Sequence, residues 1–266
     1  MSRNEASLQF DFPQASLRDR VIMLAGGSGG LGAACASLLA REGARLVIGY
    51  HRNQSRAEQL TRHLWETYQA EAVAVGSDIA SKSGREKLLD EVAKLGSPLY
   101  GMVCLVGDPA RVKLADAEAV DLAASFERNY TGPILLARDA VRSFQKNAVA
   151  GSIVLFSTMQ AMALFPGSIN YAGPKNALIH AARVLAKENA GSCGIRVNVV
   201  SPGVNRAGMA LASIQSGKYD RYVEEGIIPR FGRAEDVAGA VRLFLEPDNY
   251  ITGQVLAVDG GFSLQA

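Results

Sequence analysis

Residues 21–40 form an uncharged run of twenty residues that contains five glycines between Gly26 and Gly32. An uncharged run of this length is long enough to span a bilayer, but the glycines divide it into two shorter pieces. The first piece predicts a buried strand over residues 20–25, and the second predicts a helix over residues 31–42. A strand, a glycine loop and a helix in this order are typical of the first unit of a parallel α/β fold.

The rest of the chain repeats this alternation between short β-branched runs and helical stretches. The pattern predicts an α/β fold, a doubly wound, seven-stranded parallel sheet with helices on both faces (Rossmann-type). Because no Pro/Ser-rich linker or internal repeat interrupts it, we expect a single domain over residues 20–266, preceded by a loosely ordered arm over residues 1–19. The further strands are expected at residues 45–50, 72–76, 99–106, 152–157, 196–200 and 254–258. The further helices are expected at residues 55–68, 83–95, 117–147 (bent near Gly132-Pro133), 171–190 and 234–245.

The segment of residues 203–230 falls outside this alternation and follows the sixth strand. Open α/β sheets bind ligands beyond the carboxyl ends of their strands, so we expect this segment to be a substrate lid. It mixes apolar and aromatic residues with Arg206, Lys218 and Arg221. This mixture would admit an apolar substrate with an anionic end, or it would form an ordinary amphipathic lid helix.

Composition excludes several classes of protein. A net charge of +2, with Lys and Arg spread along the chain, argues against a nucleic-acid partner. The three cysteines lack C-x-x-C spacing and the three histidines lack metal-site spacing, so we expect no metal site. Residues 1–20 are polar and contain no apolar core of a secretory signal, so we expect no membrane partner and a cytoplasmic location.

The glycine loop has the setting that a phosphate-binding loop requires. Glycines let the backbone approach phosphate oxygens, and the N-terminus of the following helix supplies oriented N–H groups. Because the loop follows a strand and begins a helix, it predicts dinucleotide binding over a merely structural turn. The expected contact residues are Gly26, Ser28, Gly30, Leu31 and Gly32.

The end of the second strand predicts which dinucleotide is bound. Enzymes of this architecture that use NAD usually place an acidic residue there, whereas this chain reads Tyr50-His51-Arg52-Asn53. The Arg52 guanidinium suits a 2′-phosphate, so we expect NADP(H) over NAD(H), unless Arg52 is only a solvated loop charge. After the third strand, Asp78 and Ile79 are expected near the adenine, although Asp78 fits the N-cap region of the next helix equally well.

Four polar residues further along the chain predict proton transfer. Tyr171 and Lys175 are four apart and therefore share a helix face. A neighbouring ammonium and an oxidised nicotinamide favour the phenolate, so we expect a lowered pKa for Tyr171 and a role as general acid or base. Thr158 would donate a hydrogen bond to the substrate oxygen, and Asn129 would organise water beside Lys175. A lone Tyr-x-x-x-Lys is common by chance. The catalytic interpretation therefore depends on the position of this pair after the fifth strand and the Ser157-Thr158 hydroxyls.

From about residue 19 to residue 262 the chain resembles the short-chain dehydrogenase/reductase family, in particular its 3-oxoacyl-carrier-protein reductase-like branch. The resemblance rests on Gly26-x-x-x-Gly30-Leu31-Gly32, Asp78, Asn129, Tyr171-x-x-x-Lys175 and Ser201-Pro202-Gly203. It implies that Gly107, Pro202, Gly203, Tyr171 and Lys175 also contact the cofactor. It further implies interconversion of a small-molecule carbonyl and an alcohol, a cytoplasmic location, and a homo-oligomer that is a tetramer or a dimer. Gly29 stands where many NADP-dependent relatives carry a basic residue.

The sequence departs from the family pattern at four places. The catalytic serine of the family lies thirteen residues before the tyrosine, which here is Thr158, unless the register slips and Ser157 takes the role. Cys104-Leu105-Val106-Gly107 replaces Asn-Asn-Ala-Gly, so the packing there must be apolar. Pro174 is tolerable if Tyr171 lies in or near the first turn of its helix, where N–H groups lack partners. Ala207 replaces a threonine that often contacts the nicotinamide carboxamide.

These observations predict an NADP(H)-dependent oxidoreductase that interconverts a ketone and a secondary alcohol, with Tyr171 as general acid/base. A second hypothesis is a nucleotide-binding scaffold or sensor of the same fold without redox turnover, which Cys104-Leu105-Val106 and Thr158 would explain. A third is isomerase or dehydratase chemistry with transient use of the cofactor. The substrate and the direction of the reaction are not predicted by the sequence.

Overall fold

The computed structural model of the chain describes residues 16–191 and 193–264, and the described part contains one parallel sheet. Its strands follow the order β3-β2-β1-β4-β5-β6-β7, which confirms the predicted seven-stranded sheet in a single domain. The strand order reverses between β1 and β4, and a crevice for a ligand is expected at such a reversal. The strands are β1 (Val21–Ala25), β2 (Arg45–Tyr50), β3 (Ala72–Gly76), β4 (Leu99–Cys104), β5 (Ser152–Phe156), β6 (Arg196–Pro202) and β7 (Val255–Val258).

Nine α-helices follow the strands in the described part of the chain. They are α1 (Gly30–Arg41), α2 (Gln54–Tyr68), α3 (Lys82–Lys94), α4 (Ala119–Phe126), α5 (Gly132–Lys146), α6 (Ile169–Asn189), α7 (Leu211–Gln215), α8 (Arg221–Glu224) and α9 (Ala234–Leu245). No helix of residues 16–191 and 193–264 combines the length and the apolar composition needed to cross a bilayer.

The helix predicted over residues 117–147 is two helices separated by a π-helical turn. The π turn covers Glu127–Thr131 and contains Asn129, and α5 begins directly after it with Pro133 near its N-terminus. A proline in the first turn of a helix removes an N–H that has no partner there. The predicted bend is therefore found, but it is made by an inserted π turn, a feature that often occurs at functional sites.

Side chains of the strands alternate between two apolar cores. Ile22 and Leu24 pack with α1, α2 and α9 on one face of the sheet, whereas Val21 and Met23 pack with α3, α5 and α6 on the other. This is the alternation that a pleated strand dictates, and both faces of the sheet are covered. The helices packed on both faces thus fix the positions of the carboxyl ends of the strands, which lie along one edge of the sheet.

The predicted arm over residues 1–19 needs a correction at its end, while residues 1–15 lie outside the described part. Leu17 is fully buried in the core shared with α1 and α9. The backbone N–H of Asp19 donates to the carbonyl of Gly43 at 2.9 Å. The domain therefore begins a few residues earlier than the polar composition suggested, because a single leucine closes the core.

Residues 203–230, the lid segment, form a 3-10 turn at Gly208–Ala210 and the short helices α7 and α8. Apolar residues of this segment pack into a third cluster with Met159, Phe231 and Phe262. The rings of Tyr222 and Phe262 meet edge to face with centroids 4.6 Å apart. The lid segment is thus connected to both the end of the chain and the loop after β5.

Candidate active site

The glycine loop packs so closely against the protein that side chains are excluded at several of its positions. Gly26 has a φ of +77°, a left-handed conformation that favours glycine, and a Cβ there would lie 3.3 Å from the Leu105 backbone. A Cβ on Gly32 would lie 2.6 Å from the carbonyl oxygen of Gly27, so α1 packs directly against its own loop. Gly29 is the N-cap of α1, and none of the described side chains caps it. Ser28 is buried, Gly32 is buried, and Leu31 is half-buried. The first N–H groups of α1 therefore have no side-chain cap, and we call the loop of residues 26–32 around them the cradle.

The end of β2 carries positive charge beside that cradle. Arg52 is exposed directly before Asn53, whose side chain caps α2 by accepting from the Arg56 N–H at 3.1 Å. Within the described residues, Arg52 makes no hydrogen bond or ion pair. Its guanidinium is therefore available to an anionic group at this edge of the sheet.

The loop after β3 presents Asp78 to solvent. The cap of α3 is Ser81, whose hydroxyl accepts from the Gly84 N–H at 3.0 Å, so Asp78 is not the capping residue. The Asp78 carboxylate accepts only a local bond from the Ala80 N–H at 3.1 Å among the described groups. Ile79 is buried beside it. The Asp78 carboxylate is therefore exposed at the end of β3 and is not the N-cap of α3.

Arg85, on α3, fixes the loop that follows β3, a role that no local sequence pattern indicated. Its guanidinium donates to the carbonyls of Ile79 and Ala80 at 2.9 and 3.0 Å and pairs with Asp139 at 2.9 Å. A Cβ on Gly84 would lie 2.0 Å from the Asp78 carbonyl oxygen, so the loop also packs tightly on α3. The Asp78–Ile79 segment is therefore fixed before any ligand binds.

Tyr171 and Lys175 lie one turn apart on α6, at the carboxyl edge of the sheet. Lys175 is buried, and its Nζ donates to the carbonyls of Val106 and Phe156 at 3.0 and 2.9 Å. These carbonyls follow β4 and end β5, so the lysine joins the ends of two strands. Burial lowers the pKa of Lys175 to about 8.

The predicted decrease in the pKa of Tyr171 is wrong when only the protein's own groups act on the phenol. Burial raises the pKa of Tyr171 to about 12, and the charge of Asp108 adds to the increase. Hydrogen bonding by the Thr158 side chain opposes it but is weaker than desolvation. Because burial raises its pKa, the phenol is protonated at neutral pH.

Thr158, not Ser157, faces the phenol. Thr158 is buried beside Tyr171, whereas the Ser157 hydroxyl donates to the backbone carbonyl of Lys175 at 3.0 Å. Successive residues at the end of a strand point to opposite sides, which separates the two hydroxyls. The hydroxyl beside the phenol therefore belongs to Thr158, the residue thirteen positions before Tyr171.

Asn129 is completely buried and uses its side chain within the protein. Its Oδ1 accepts from the Asp108 N–H at 2.9 Å, and its Nδ2 donates to the Asp108 carbonyl at 3.0 Å and to Ser125 at 3.1 Å. A Cβ on Gly107 would lie 3.3 Å from both Asn129 Oδ1 and Lys175 Nζ. Gly107 thus lies against both Asn129 and Lys175, and a side chain there would press on both groups.

The replaced motif after β4 is packed as expected. Cys104 is buried in the core below Lys175, and burial raises the pKa of its thiol. Leu105 and Val106 pack against the cores of the two faces. The apolar residues therefore fill this region, and the Val106 carbonyl provides a partner for Lys175.

The end of β6 brings the lid segment to the glycine loop. β6 runs to Pro202, two residues further than predicted, because Ser201 and Pro202 pair with β7. A Cβ on Gly203 would lie 2.6 Å from the Asp259 Cα, so only glycine fits there. A Cβ on Gly30 would lie 2.7 Å from the Gly208 backbone nitrogen, so the lid segment rests directly on the cradle.

Sequence reasoning did not identify several residues that complete the site. Asp108 influences Tyr171 and forms an ion pair with Arg128 at 2.9 Å, while Ser125 and Asn170 bond to groups around Asn129 and Tyr171. The adjacency of Asp108 to Gly107 was the one available signal. Three or more His, Cys, Asp and Glu side chains do not gather into a metal-like cluster anywhere in the described ranges.

Comparison with known proteins extends along nearly the whole chain. A family model described as enoyl-(acyl carrier protein) reductase matches residues 25–263. The chain is 33% identical over 248 residues to 3-oxoacyl-[acyl-carrier-protein] reductase of Rattus norvegicus, covering 93% of this chain and 100% of that protein. It is 29% identical over 263 residues to an NADPH-dependent aldehyde reductase-like protein, chloroplastic, of Arabidopsis thaliana, covering 94% and 96%.

Solved structures share the same architecture. A short-chain type dehydrogenase/reductase from Mycobacterium ulcerans is 25% identical, with a TM-score of 0.87 and coverage of 94% of this chain and 91% of the other. ElxO with NADP bound is also 25% identical, with a TM-score of 0.82 and coverage of 93% and 100%. Since the family model and the rat relative both span most of the sequence, the chain belongs to the short-chain dehydrogenase/reductase family and is an NAD(P)-dependent oxidoreductase.

Proposed function

We propose that this protein interconverts a ketone and a secondary alcohol with NADP(H), with Tyr171 as the general acid/base. The observation that carries the proposal is the meeting of Tyr171, Thr158 and Lys175 at the same sheet edge as the phosphate cradle. A bound nicotinamide dinucleotide supplies or accepts the hydride. The protein must then hold the carbonyl and supply the proton, which these side chains are suited to do.

Tyr171 donates the proton in the direction of reduction. Its raised pKa, about 12, keeps the phenol protonated at neutral pH, which is the form that a proton donor requires. Thr158 donates its hydroxyl to the substrate oxygen and orients it toward the phenol. Lys175 fixes the strand ends through the Val106 and Phe156 carbonyls and provides positive charge as the phenol loses its proton. Asn129 holds the Asp108 backbone and organises water beside Lys175.

The residues present fit a phosphorylated dinucleotide. The phosphates would bind the cradle of Gly26, Ser28, Gly30, Leu31 and Gly32, and the nicotinamide side would lie by Gly107, Pro202, Gly203, Tyr171 and Lys175. Asp78 and Ile79 would border the adenine. The unpaired guanidinium of Arg52, together with the absence of an acidic residue at residues 50–53, supports NADP(H) over NAD(H). The NADP-bound ElxO structure and the Arabidopsis name agree with this preference.

The rat relative supports a 3-oxoacyl-type ketone as the first substrate to test. Apolar residues of the lid segment pack with Met159 and Phe262. The cations of Lys218 and Arg221 lie over the rings of Tyr219 and Tyr222 in the same segment, and that of Arg206 lies over Phe231 just beyond it. An apolar chain next to a carbonyl would be compatible with such a lid. Ethyl acetoacetate is a small probe of this class.

The test has two stages. Fluorescence titration with NADPH and NADH should give tighter binding of NADPH, and equal or reversed affinities would refute the assigned role of Arg52. Turnover of ethyl acetoacetate and a panel of ketones with NADPH should then fall by about 10²–10⁴-fold in Tyr171→Phe. The fully exposed Tyr250 provides the control, because Tyr250→Phe should leave turnover unchanged. Dinucleotide binding without turnover of any ketone would favour a nucleotide-binding scaffold or sensor.

We also propose a cytoplasmic homo-oligomer, a tetramer or a dimer. Helices α4 and α6 pack together and expose large apolar side chains, namely Val120, Phe126, Ile169 and Val184. Large exposed apolar side chains on two packed helices are the kind of surface that a second copy of the chain would cover. Light scattering coupled to size-exclusion chromatography would test this, and a monomer at micromolar concentration would contradict it.

A further inference from the structure

Pro174 interrupts the hydrogen bonding of the helix that carries Tyr171. It is the sixth residue of α6 and is buried, so it lies beyond the first turn that tolerates proline most readily. In a regular helix the N–H of residue 174 would donate to the carbonyl of Asn170, four residues earlier. Proline has no N–H, so the Asn170 carbonyl needs a donor from elsewhere.

Ser125 is that donor. Its hydroxyl, on the last turn of α4, donates to the Asn170 carbonyl. Ser125 is 4% exposed and Asn170 is 3% exposed, so water has little access to either group. A serine inside a helix often bonds to a carbonyl of its own helix, but this one bonds to the neighbouring helix instead.

The same hydroxyl connects Asn129 to this turn. Ser125 is four residues before Asn129, and its oxygen accepts from Asn129 Nδ2 at 3.1 Å while its hydrogen is donated to Asn170. The Asn170 side chain in turn donates to the Val112 carbonyl at 2.7 Å. One buried hydroxyl therefore joins the helix of Asn129 to the residue directly before Tyr171.

We infer that Ser125 is a positioning residue that replaces the N–H missing at Pro174 and thereby fixes Tyr171 relative to Asn129. The part of this inference that concerns turnover rests on the proposed function, while the pairing of Ser125 with Pro174 does not. Without Ser125, the Asn170 carbonyl loses a donor in a buried place and Asn129 loses one of its partners. The first turn of α6 is then held less firmly against α4.

A double-mutant cycle tests the pairing directly. Ser125→Ala, Pro174→Ala and the double variant are compared with the wild type by urea unfolding. We expect Ser125→Ala to lower the folding equilibrium constant about tenfold when Pro174 is present. In the Pro174→Ala background, which restores the N–H, the loss should be less than about threefold. Equal losses in both backgrounds would refute the pairing.

Turnover distinguishes positioning from a general loss of stability. Ser125→Ala should lower kcat for ethyl acetoacetate at least about tenfold, with the affinity for NADPH and the KM within about twofold, and Pro174→Ala should restore kcat. Ser152→Ala is the control, because the buried Ser152 hydroxyl also donates to a helix carbonyl, that of Phe244, at 2.7 Å, although this carbonyl also accepts from Arg196 at 2.7 Å. It should weaken folding but leave kcat unchanged in either background.

The outcomes separate this inference from the proposed function. If the wild type reduces ketones and Ser125→Ala does so equally well, the positioning role is wrong. If the wild type reduces no ketone, the proposed function fails, and the unfolding cycle alone decides whether Ser125 substitutes for the missing N–H. If Ser152→Ala also lowers kcat and Pro174→Ala also rescues it, the coupling is not local and the inference is refuted.

Discussion

Replacement of Thr158 by valine is predicted to abolish most turnover while the fold remains intact. Valine keeps the branched shape and removes only the hydroxyl. Within the protein that hydroxyl accepts a long bond from the Gln160 N–H at 3.3 Å and bonds to the buried Tyr171 phenol, so its loss should lower the free energy of unfolding by about 1–3 kcal/mol. Toward the substrate, loss of a donor aimed at an oxygen that gains charge costs about 2.7–4 kcal/mol, or about 10²–10³-fold in kcat.

The assay is steady-state consumption of NADPH with ethyl acetoacetate, together with urea unfolding of each variant. Ser157→Ala is the control, because its hydroxyl serves the Lys175 carbonyl and not the phenol. It should leave kcat within about threefold, and Thr158→Ser should keep most activity because the hydroxyl is retained. If Ser157→Ala lowers kcat as much as Thr158→Val does, the assignment of the donor to Thr158 is refuted.

The same variant should change the dependence of turnover on pH. Hydrogen bonding by Thr158 lowers the pKa of Tyr171, so its removal raises that pKa further. Alcohol oxidation requires the phenolate and therefore increases as pH rises through the Tyr171 pKa of the cofactor-bound enzyme, which the positive charge of an oxidised nicotinamide would lower. The rising limb of oxidation should therefore move to higher pH in Thr158→Val. A limb that stays in place or moves to lower pH would contradict the hydrogen bond between the two side chains.

Three further predictions concern charge and backbone packing. Burial lowers the pKa of Lys175 from 10.5 to about 8, so the folded protein loses this proton at a lower pH than the unfolded protein. Between those pH values the free energy of unfolding of the wild type should therefore rise by about 3 kcal/mol relative to that of Lys175→Met. Urea unfolding that gives the same pH dependence for both proteins would refute this. Arg52→Ala should weaken NADPH binding about tenfold and leave NADH unchanged in fluorescence titrations, and an equal loss for both would contradict a 2′-phosphate contact. Gly30→Ala should weaken NADPH binding because its Cβ would lie 2.7 Å from a backbone nitrogen of the lid segment, whereas Gly29→Ala, whose nearest described atom lies at 3.5 Å, should bind normally.

The strands were predictable because the information is local. β2 and β3 have the predicted bounds, because each is a short apolar run with β-branched residues that is bounded on both sides by polar or turn-forming residues. The π turn at Glu127–Thr131 was not predictable, because it depends on the bond between Asn129 and the Asp108 backbone, which comes from a different strand end. A helical pattern in residues 117–147 contains no sign of that contact.

In the candidate active site, too, local features were predictable from the sequence and tertiary contacts were not. Tyr171 and Lys175 were recognisable from spacing, but the spacing did not indicate that burial and the charge of Asp108 raise the pKa of Tyr171 among the protein's own groups, because both effects are properties of the fold. Pro174 was visible as an anomaly, whereas its compensation by Ser125 lies 49 residues away in the chain. Sequence spacing therefore identifies the reacting groups, and tertiary contacts determine how they are held.

The contact between Gly30 and the lid segment has a thermodynamic consequence. The glycine loop and the lid segment share one interface, with the Gly208 nitrogen only 2.7 Å from where a Gly30 Cβ would stand. A ligand that shifts the glycine loop therefore also shifts the base of the lid. Any such coupling is reciprocal, so a dinucleotide that improves the affinity for the ketone is itself held more tightly, by the same factor, once the ketone is bound.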